Sequence, residues 1–167
     1  LFQPEPGPYM NLYLVSDLME PWQGSVRWSL ETIQGAVLKS GQLDTQIDAV
    51  SAASVCSLDF DADVNRDNKR EVVLVYELWQ DTKRLSMSVF SFVPSKHLAL
   101  TPPGLVVNVK EAEGVFVMTL TAASLARYVW VKLSGVDTIF DDNFFDLPAG
   151  RSVEVRFYAP AGWSVED

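Results

Sequence analysis

Nucleophilic and acid–base catalysis need a proton carrier, and this chain has one histidine, His97, and one cysteine, Cys56. A Ser/His/Asp or Cys/His constellation needs that histidine beside the nucleophile. His97 instead follows Lys96 in a proline-rich stretch and reads as an exposed linker residue. Cys56 alternates with Leu58 and Phe60 and reads as a small core residue, and a single cysteine permits no intrachain disulfide. Zinc needs clustered Cys and His ligands. Phosphate loops of the Gly-x-Gly-x-x-Gly or Gly-Lys-Ser/Thr type do not occur in the sequence. No cofactor is expected.

Two acidic segments remain. Asp61-Ala-Asp63-Val-Asn65-Arg-Asp67-Asn68 places oxygen ligands at alternate positions, as a calcium loop begins. The expected glycine is Arg66, and the twelfth position is Val72 rather than glutamate. A solvated hairpin loop is therefore expected, with an adventitious calcium site as the alternative. In Asp141-Asp142-Asn143 the paired carboxylates are adjacent and point apart, whereas glycoside hydrolysis needs two held across a cleft. Turn formation through side-chain hydrogen bonds is the expected role. The five tryptophans, Trp22, Trp28, Trp79, Trp130 and Trp163, offer flat apolar faces for pyranose rings, against the plainer role of core packing. Trp22, Trp79 and Trp163 are the candidate carbohydrate-binding residues, and for Trp130 the inward face is ambiguous.

The elements that position these residues have a two-residue period. Val26, Trp28 and Leu30 alternate with Arg27, Ser29 and Glu31, the pattern of a half-buried strand. The nearly continuous apolar run from Val72 to Trp79 predicts a central strand covered on both faces, and a hairpin through Gln80–Lys83 leads to Leu85–Val93. Further strands are expected at 11–16, 32–40 (broken at Gln34-Gly35), 105–110, 115–121, 126–133, 138–140 and 152–158. The one helix-like stretch, Leu43–Ala53, is too weakly patterned to overturn an all-β fold. Between Pro94 and Gly104 three prolines and a glycine interrupt strand pairing. The expected domains are a linker or remnant at 1–9, a β-sandwich at 10–97, a proline-rich linker at 98–104 and a second β-sandwich at 105–167. The second is small for a free immunoglobulin-type sandwich, so it is expected to pack against the first.

Charge narrows the partners. Thirteen Lys+Arg against 22 Asp+Glu give a net charge of −9, which repels polyanions. Neither nucleic acid nor membrane is expected as a partner. The single cysteine and the lack of an Asn-x-Ser/Thr sequon favour a cytoplasmic, bacterial-type setting over a secreted or lysosomal one.

Tyr13-Leu-Val-Ser-Asp17-Leu-Met-Glu-Pro-Trp22-x-Gly24-x-x-x-Trp28 resembles the start of the immunoglobulin/carbohydrate-module-like domain of glycoside hydrolase family 2 β-mannosidases. Arg127-Tyr-Val-Trp130-Val, then Phe140-Asp-Asp-Asn143-Phe-Phe-Asp146-Leu and Leu147-Pro-Ala-Gly150, resembles their C-terminal immunoglobulin-fold domain. The resemblance covers about residues 10 to 165. It implies two immunoglobulin-like antiparallel β-sandwiches in tandem, forming the region after a catalytic barrel. The parent enzyme would remove terminal, non-reducing β-mannose with two barrel glutamates, one directly after an asparagine. This sequence has no Asn-Glu dipeptide and no alternating strand–helix pattern. No catalytic residue carries over, and the chain itself is expected to be catalytically silent. Its implied partner is the barrel of its own parent, which it would support. The alternatives are a module binding mannose-containing glycans through exposed tryptophans, and a free-standing interaction sandwich.

Overall fold

The computed structural model describes residues 8–112, 114–158 and 162–163. Among them every element is a β-strand except one short 3-10 turn, Ser95–His97. The chain divides into two units: residues up to Thr32 with Ala36–Ala99, and Leu100 onward with Ile33–Gly35. Each is an antiparallel sandwich, so the all-β, tandem immunoglobulin-like reading of the sequence holds.

The first unit stacks two sheets. Strands β1 (Tyr9–Ser16) and β4 (Ser51–Asp59) form one of them. The other has the order β3-β2-β5-β6, from Val37–Ile47, Trp22–Thr32, Val72–Gln80 and Lys83–Ser91. Alternation supplies the core. Leu30, Val72, Leu74 and Phe92 meet Phe60, with Met10, Trp28 and Leu58 packed around them. Trp28 and Phe92 both meet the Phe60 ring edge to face, at centroid distances of 5.7 and 6.1 Å. Strand β5 is buried on both faces over Val72–Val75, as its apolar run requires. β1 starts at Tyr9, one residue inside the segment read as linker.

The weakly helical stretch 43–53 is the end of β3, a turn, and the start of β4. Its alternating Thr45, Ile47 and polar residues pair with β2, from Gly24↔Thr45 to Trp22↔Ile47. The turn is made by Val50 in left-handed backbone, φ 48°, where its amide bonds Leu18 O at 3.0 Å. Sheet pairing thus overrides a marginal helical propensity.

The second unit has a three-stranded sheet, β11-β8-β7 (Ser152–Phe157, Val115–Thr121, Val106–Ala112). A two-stranded sheet, β10-β9 (Phe145–Leu147, Ala126–Val129), completes it. Phe116, Met118 and Leu120 from β8 pack with Val155 and Phe157 from β11 and with Val129, Val131 and Leu147 from the other layer. The strand expected over 126–133 stops at Val129, and that at 138–140 shrinks to a single bridge, Phe140↔Phe157. Strand β10 went unread because its three residues, Phe-Asp-Leu, are too short to show a period.

Candidate functional site

The three tryptophans singled out from sequence lie in different places. In antiparallel sheets, cross-strand partners share a face and neighbours along a strand alternate. Ser25 pairs with Trp79, and Trp22 is three positions from Ser25 on the same strand. Trp22 and Trp79 therefore point from opposite faces of the four-stranded sheet. The Trp22 ring lies over Gly24, where a Cβ would collide with it. The Trp79 ring is covered on one side by the Arg27 guanidinium, whose Cζ stands 4.2 Å from the ring centroid. The indole of Trp79 donates to Glu77 Oε2 at 3.4 Å, and Arg84 holds the other carboxylate oxygen at 3.3 Å. Trp163, half-buried and outside any strand, belongs to the second unit. Within the first unit, Trp22 and Trp79 do not share a face.

Beside Trp79, on the same face, lies a depression of about 560 Å3. Gln23, Ser25 and Arg27 of β2 line it with Gln42, Asp44 and Gln46 of β3. The lining follows from register: Gln23↔Gln46, Ser25↔Asp44 and Arg27↔Gln42 are cross-strand pairs with polar side chains on the outward face. Asp81, in the turn between β5 and β6, lines it as well as Asp44.

In the first acidic segment, side-chain oxygens are spent on the backbone and on Lys39. Asn65 Oδ1 accepts from Asp67 N at 2.8 Å, Asn68 Oδ1 from Asn65 N at 2.8 Å, and Asp63 pairs with Lys39 at 2.8 Å. Among the described residues no group of three or more His, Cys, Asp or Glu converges as metal ligands do. His97 closes the short 3-10 turn, where its carbonyl accepts from Arg70 Nε at 2.7 Å. Cys56 is half-buried on β4, and desolvation pushes its thiol above the ordinary value of 9.0.

The second acidic segment builds something more specific. Asp141 Oδ1 accepts from Arg156 N at 2.7 Å, and Asp142 Oδ1 from Asn143 N at 2.8 Å. The Asn143 amide bridges across to the strand end opposite. Its Oδ1 accepts from Val131 N (2.8 Å) and Phe144 N (3.0 Å), while its Nδ2 donates to Val131 O at 2.8 Å. Three positions on, Asp146 Oδ1 accepts from Arg127 Nε at 2.8 Å and from Tyr128 N at 3.0 Å. Between these two clamps Tyr128 and Phe144 hold left-handed backbone, at φ 55° and 59°. For an aromatic residue that conformation costs on the order of 1 kcal/mol or more, and the surrounding bonds must over-determine it.

The consequence is a row of outward aromatics. Tyr128, Trp130 and Lys132 face solvent while Val129 and Val131 are buried. Trp130 is 63% exposed and Phe144 66%. The two rings are parallel within 8°, with centroids 6.2 Å apart. Lys132 Nζ stands 5.5 Å from the Trp130 centroid. The sequence reading missed this pair. Its signal was the alternation of Tyr128, Trp130 and Lys132 with three valine and leucine residues, which assigns Trp130 to the outer face.

Fold and geometry together define a tandem pair of immunoglobulin-like β-sandwiches with no assembled catalytic constellation among the described residues. Residues 9–97 match the mannosidase Ig/CBM-like domain, and residues 100–167 match an Ig-fold domain of the mannosidase type. The chain belongs to the mannosidase Ig/CBM-like family. No curated protein sequence matches it. Among solved structures, it is similar to β-D-mannosidase from Dictyoglomus thermophilum, with a TM-score of 0.84 and 23% identity. That match covers 95% of this chain and 19% of the other. It is also similar to the Amycolatopsis orientalis exo-chitosanase CsxA, at a TM-score of 0.63 and 14% identity over 88% of this chain and 22% of that one. The chain thus spans about a fifth of the length of each, and at these identities the likeness establishes the fold.

Proposed function

We propose that this chain is the non-catalytic β-sandwich region of a β-mannosidase whose parent hydrolyses terminal non-reducing β-D-mannose residues. The region would pack on its catalytic barrel and support it. The observation that carries the reading is the tandem match of two mannosidase-type domains across nearly the whole chain. The strand-only architecture agrees with it, since a (β/α)₈ barrel needs alternating strands and helices. A cytoplasmic location accompanies the reading, on the single cysteine and the missing sequons.

The test has two arms. The purified chain, mixed with an aryl β-mannoside, should release no aryl alcohol above the uncatalysed rate. Deleting the equivalent region from a full-length β-mannosidase of this family should lower its thermal-inactivation temperature while leaving KM for the small mannoside near its original value. Turnover by the chain alone, or a deletion that leaves inactivation unchanged, overturns the proposal.

A further inference from the structure

We infer that the polar depression on the four-stranded sheet of the first unit is a binding site for a neutral, polyhydroxylated ligand, the chemistry of a short carbohydrate chain. Arg27 is its central residue. The Arg27 guanidinium lines the depression and is held 4.2 Å from the centroid of the Trp79 ring. Its Nε is buried with no hydrogen-bond partner among the described residues. Glu77, the cross-strand neighbour of Arg27, pairs with Arg84 instead. Arg27 is thus fixed by packing on an aromatic ring rather than by an ion pair. That leaves a planar fork of donors for an acceptor from outside the fold. Buried donors are rarely left unpaired without such a reason.

The rest of the lining is equally uncommitted. Gln23, Gln42, Asp44, Gln46 and Asp81 are exposed, and none of their side chains is engaged in a hydrogen bond or ion pair among the described residues. Asp63, Asp141, Asp146 and Glu77, by contrast, are each tied to the fold. The free groups stand side by side because Gln23↔Gln46, Ser25↔Asp44 and Arg27↔Gln42 are cross-strand pairs.

The chemistry of the lining selects the occupant. Apart from Gly24, every lining residue is polar or charged, so the surface of another protein domain finds no apolar side chain to bury there. An anion would meet Asp44 and Asp81 as well as Arg27, in a chain of net charge −9. Arg27 requires an acceptor, the two carboxylates require donors, and the glutamine amides take both. A hydroxyl group is donor and acceptor at once, so a row of hydroxyls satisfies all three. The volume of about 560 Å3 suits a small organic ligand rather than a single ion. No tryptophan lines the depression, so this site is distinct from the Trp22, Trp79 and Trp163 reading.

The site does not depend on the mannosidase reading; only the choice of a mannan probe rests on it. The experiment is an NMR titration of the ¹⁵N-labelled 167-residue chain with β-1,4-mannotetraose, cellotetraose and inorganic phosphate, each in its own series. The Arg27 Nε–H resonance, assigned by its loss in Arg27→Lys, should shift saturably with a tetraose at a millimolar or tighter Kd. Asp44→Ala, at an exposed position that leaves the fold intact, should weaken binding about tenfold. Arg27→Lys keeps the charge but loses the planar fork and should weaken it by a similar factor. Trp130→Ala, on the other unit, should leave binding unchanged. Saturable binding of either tetraose that Asp44→Ala weakens upholds the site. Binding of cellotetraose alone upholds it while counting against the mannoside parent. Sugar binding that survives Asp44→Ala, binding lost in Trp130→Ala, tighter binding of phosphate than of either sugar, or no shift with either sugar at about 10 mM overturns it.

Discussion

Replacing Asn143 with alanine should unfold the second unit at markedly lower denaturant while sparing the first. The Asn143 amide makes three hydrogen bonds, two of them to the backbone of Val131, which is 7% exposed. Water can replace the bond to Phe144 N, which is exposed. It cannot readily reach both polar groups of Val131, and each buried group left unpaired costs about 1–3 kcal/mol. Some relaxation follows, so the net loss should be about 2–4 kcal/mol. In a domain this small, even the lower figure moves the melting midpoint by about 8 °C or more. The assay is urea unfolding followed by tryptophan fluorescence. Trp22, Trp28 and Trp79 report on the first unit, and Trp130 and Trp163 on the second. Two units need not unfold together, so each transition is fitted separately. Asn143→Asp supplies the internal check, since it keeps the acceptor for Val131 N but sets a carboxylate against Val131 O. Its loss should be similar to that of Asn143→Ala or larger. A loss below about 1 kcal/mol for both variants would refute the assignment of this amide as the clamp.

Asp146→Asn removes the charge that pairs with Arg127 at 2.8 Å, where the two side chains are only 17% and 11% exposed. Arg127 Nη1 already lacks a hydrogen-bond partner, so the second unit should lose about 2–3 kcal/mol in urea unfolding, less than a fully buried pair costs. Gly41→Ala places a Cβ 2.6 Å from Trp28 Cζ2 and must push the indole off Phe60. The first unit should lose about 1–3 kcal/mol, with a changed near-ultraviolet circular dichroism spectrum. For Cys56, iodoacetamide alkylation in the folded chain should reach its half-maximal rate above pH 9.0, and in urea nearer to it. Because the folded thiol is the harder one to ionise, its stabilising contribution is complete below the unfolded value and is lost as pH rises above it.

The strand periodicity was legible because it records burial directly. Val26-Trp28-Leu30 and Val72–Val75 lie where their apolar faces demand. The turn role of Asp142 was legible because a short acidic side chain reaches its own local backbone, whereas Asp141 accepts from Arg156 N fifteen residues away. What stayed hidden depends on partners distant in sequence. That Trp22 and Trp79 face opposite ways follows from the pairing Ser25↔Trp79, which the local pattern of neither strand contains. The clamp between Asn143 and Val131 spans a loop, and the left-handed backbone of Phe144 is visible only once that clamp is closed.

These clamps commit several of the chain's carboxylates to its fold. A general acid and base need carboxyl groups free to exchange protons with substrate at matched affinities. Here Asp146 is committed to Arg127 and Tyr128 N, Glu77 to Arg84 and the Trp79 indole, and Asp141 to the Arg156 amide. Each bond fixes a strand end or an aromatic ring in a sandwich with few strands. The Asn143 and Asp146 clamps also fix the backbone segments that carry Trp130 and Phe144, whose exposed rings stack within 8° of parallel. Loosening the Asn143 clamp by Asn143→Ala should therefore disorder the two rings and weaken the near-ultraviolet circular dichroism of the second unit, under conditions where the chain is still folded. Trp130→Ala should remove the same signal with the urea midpoint nearly unchanged, since the ring is exposed. Separating those two outcomes distinguishes the residue that positions the rings from a ring that adds little to the stability of the fold.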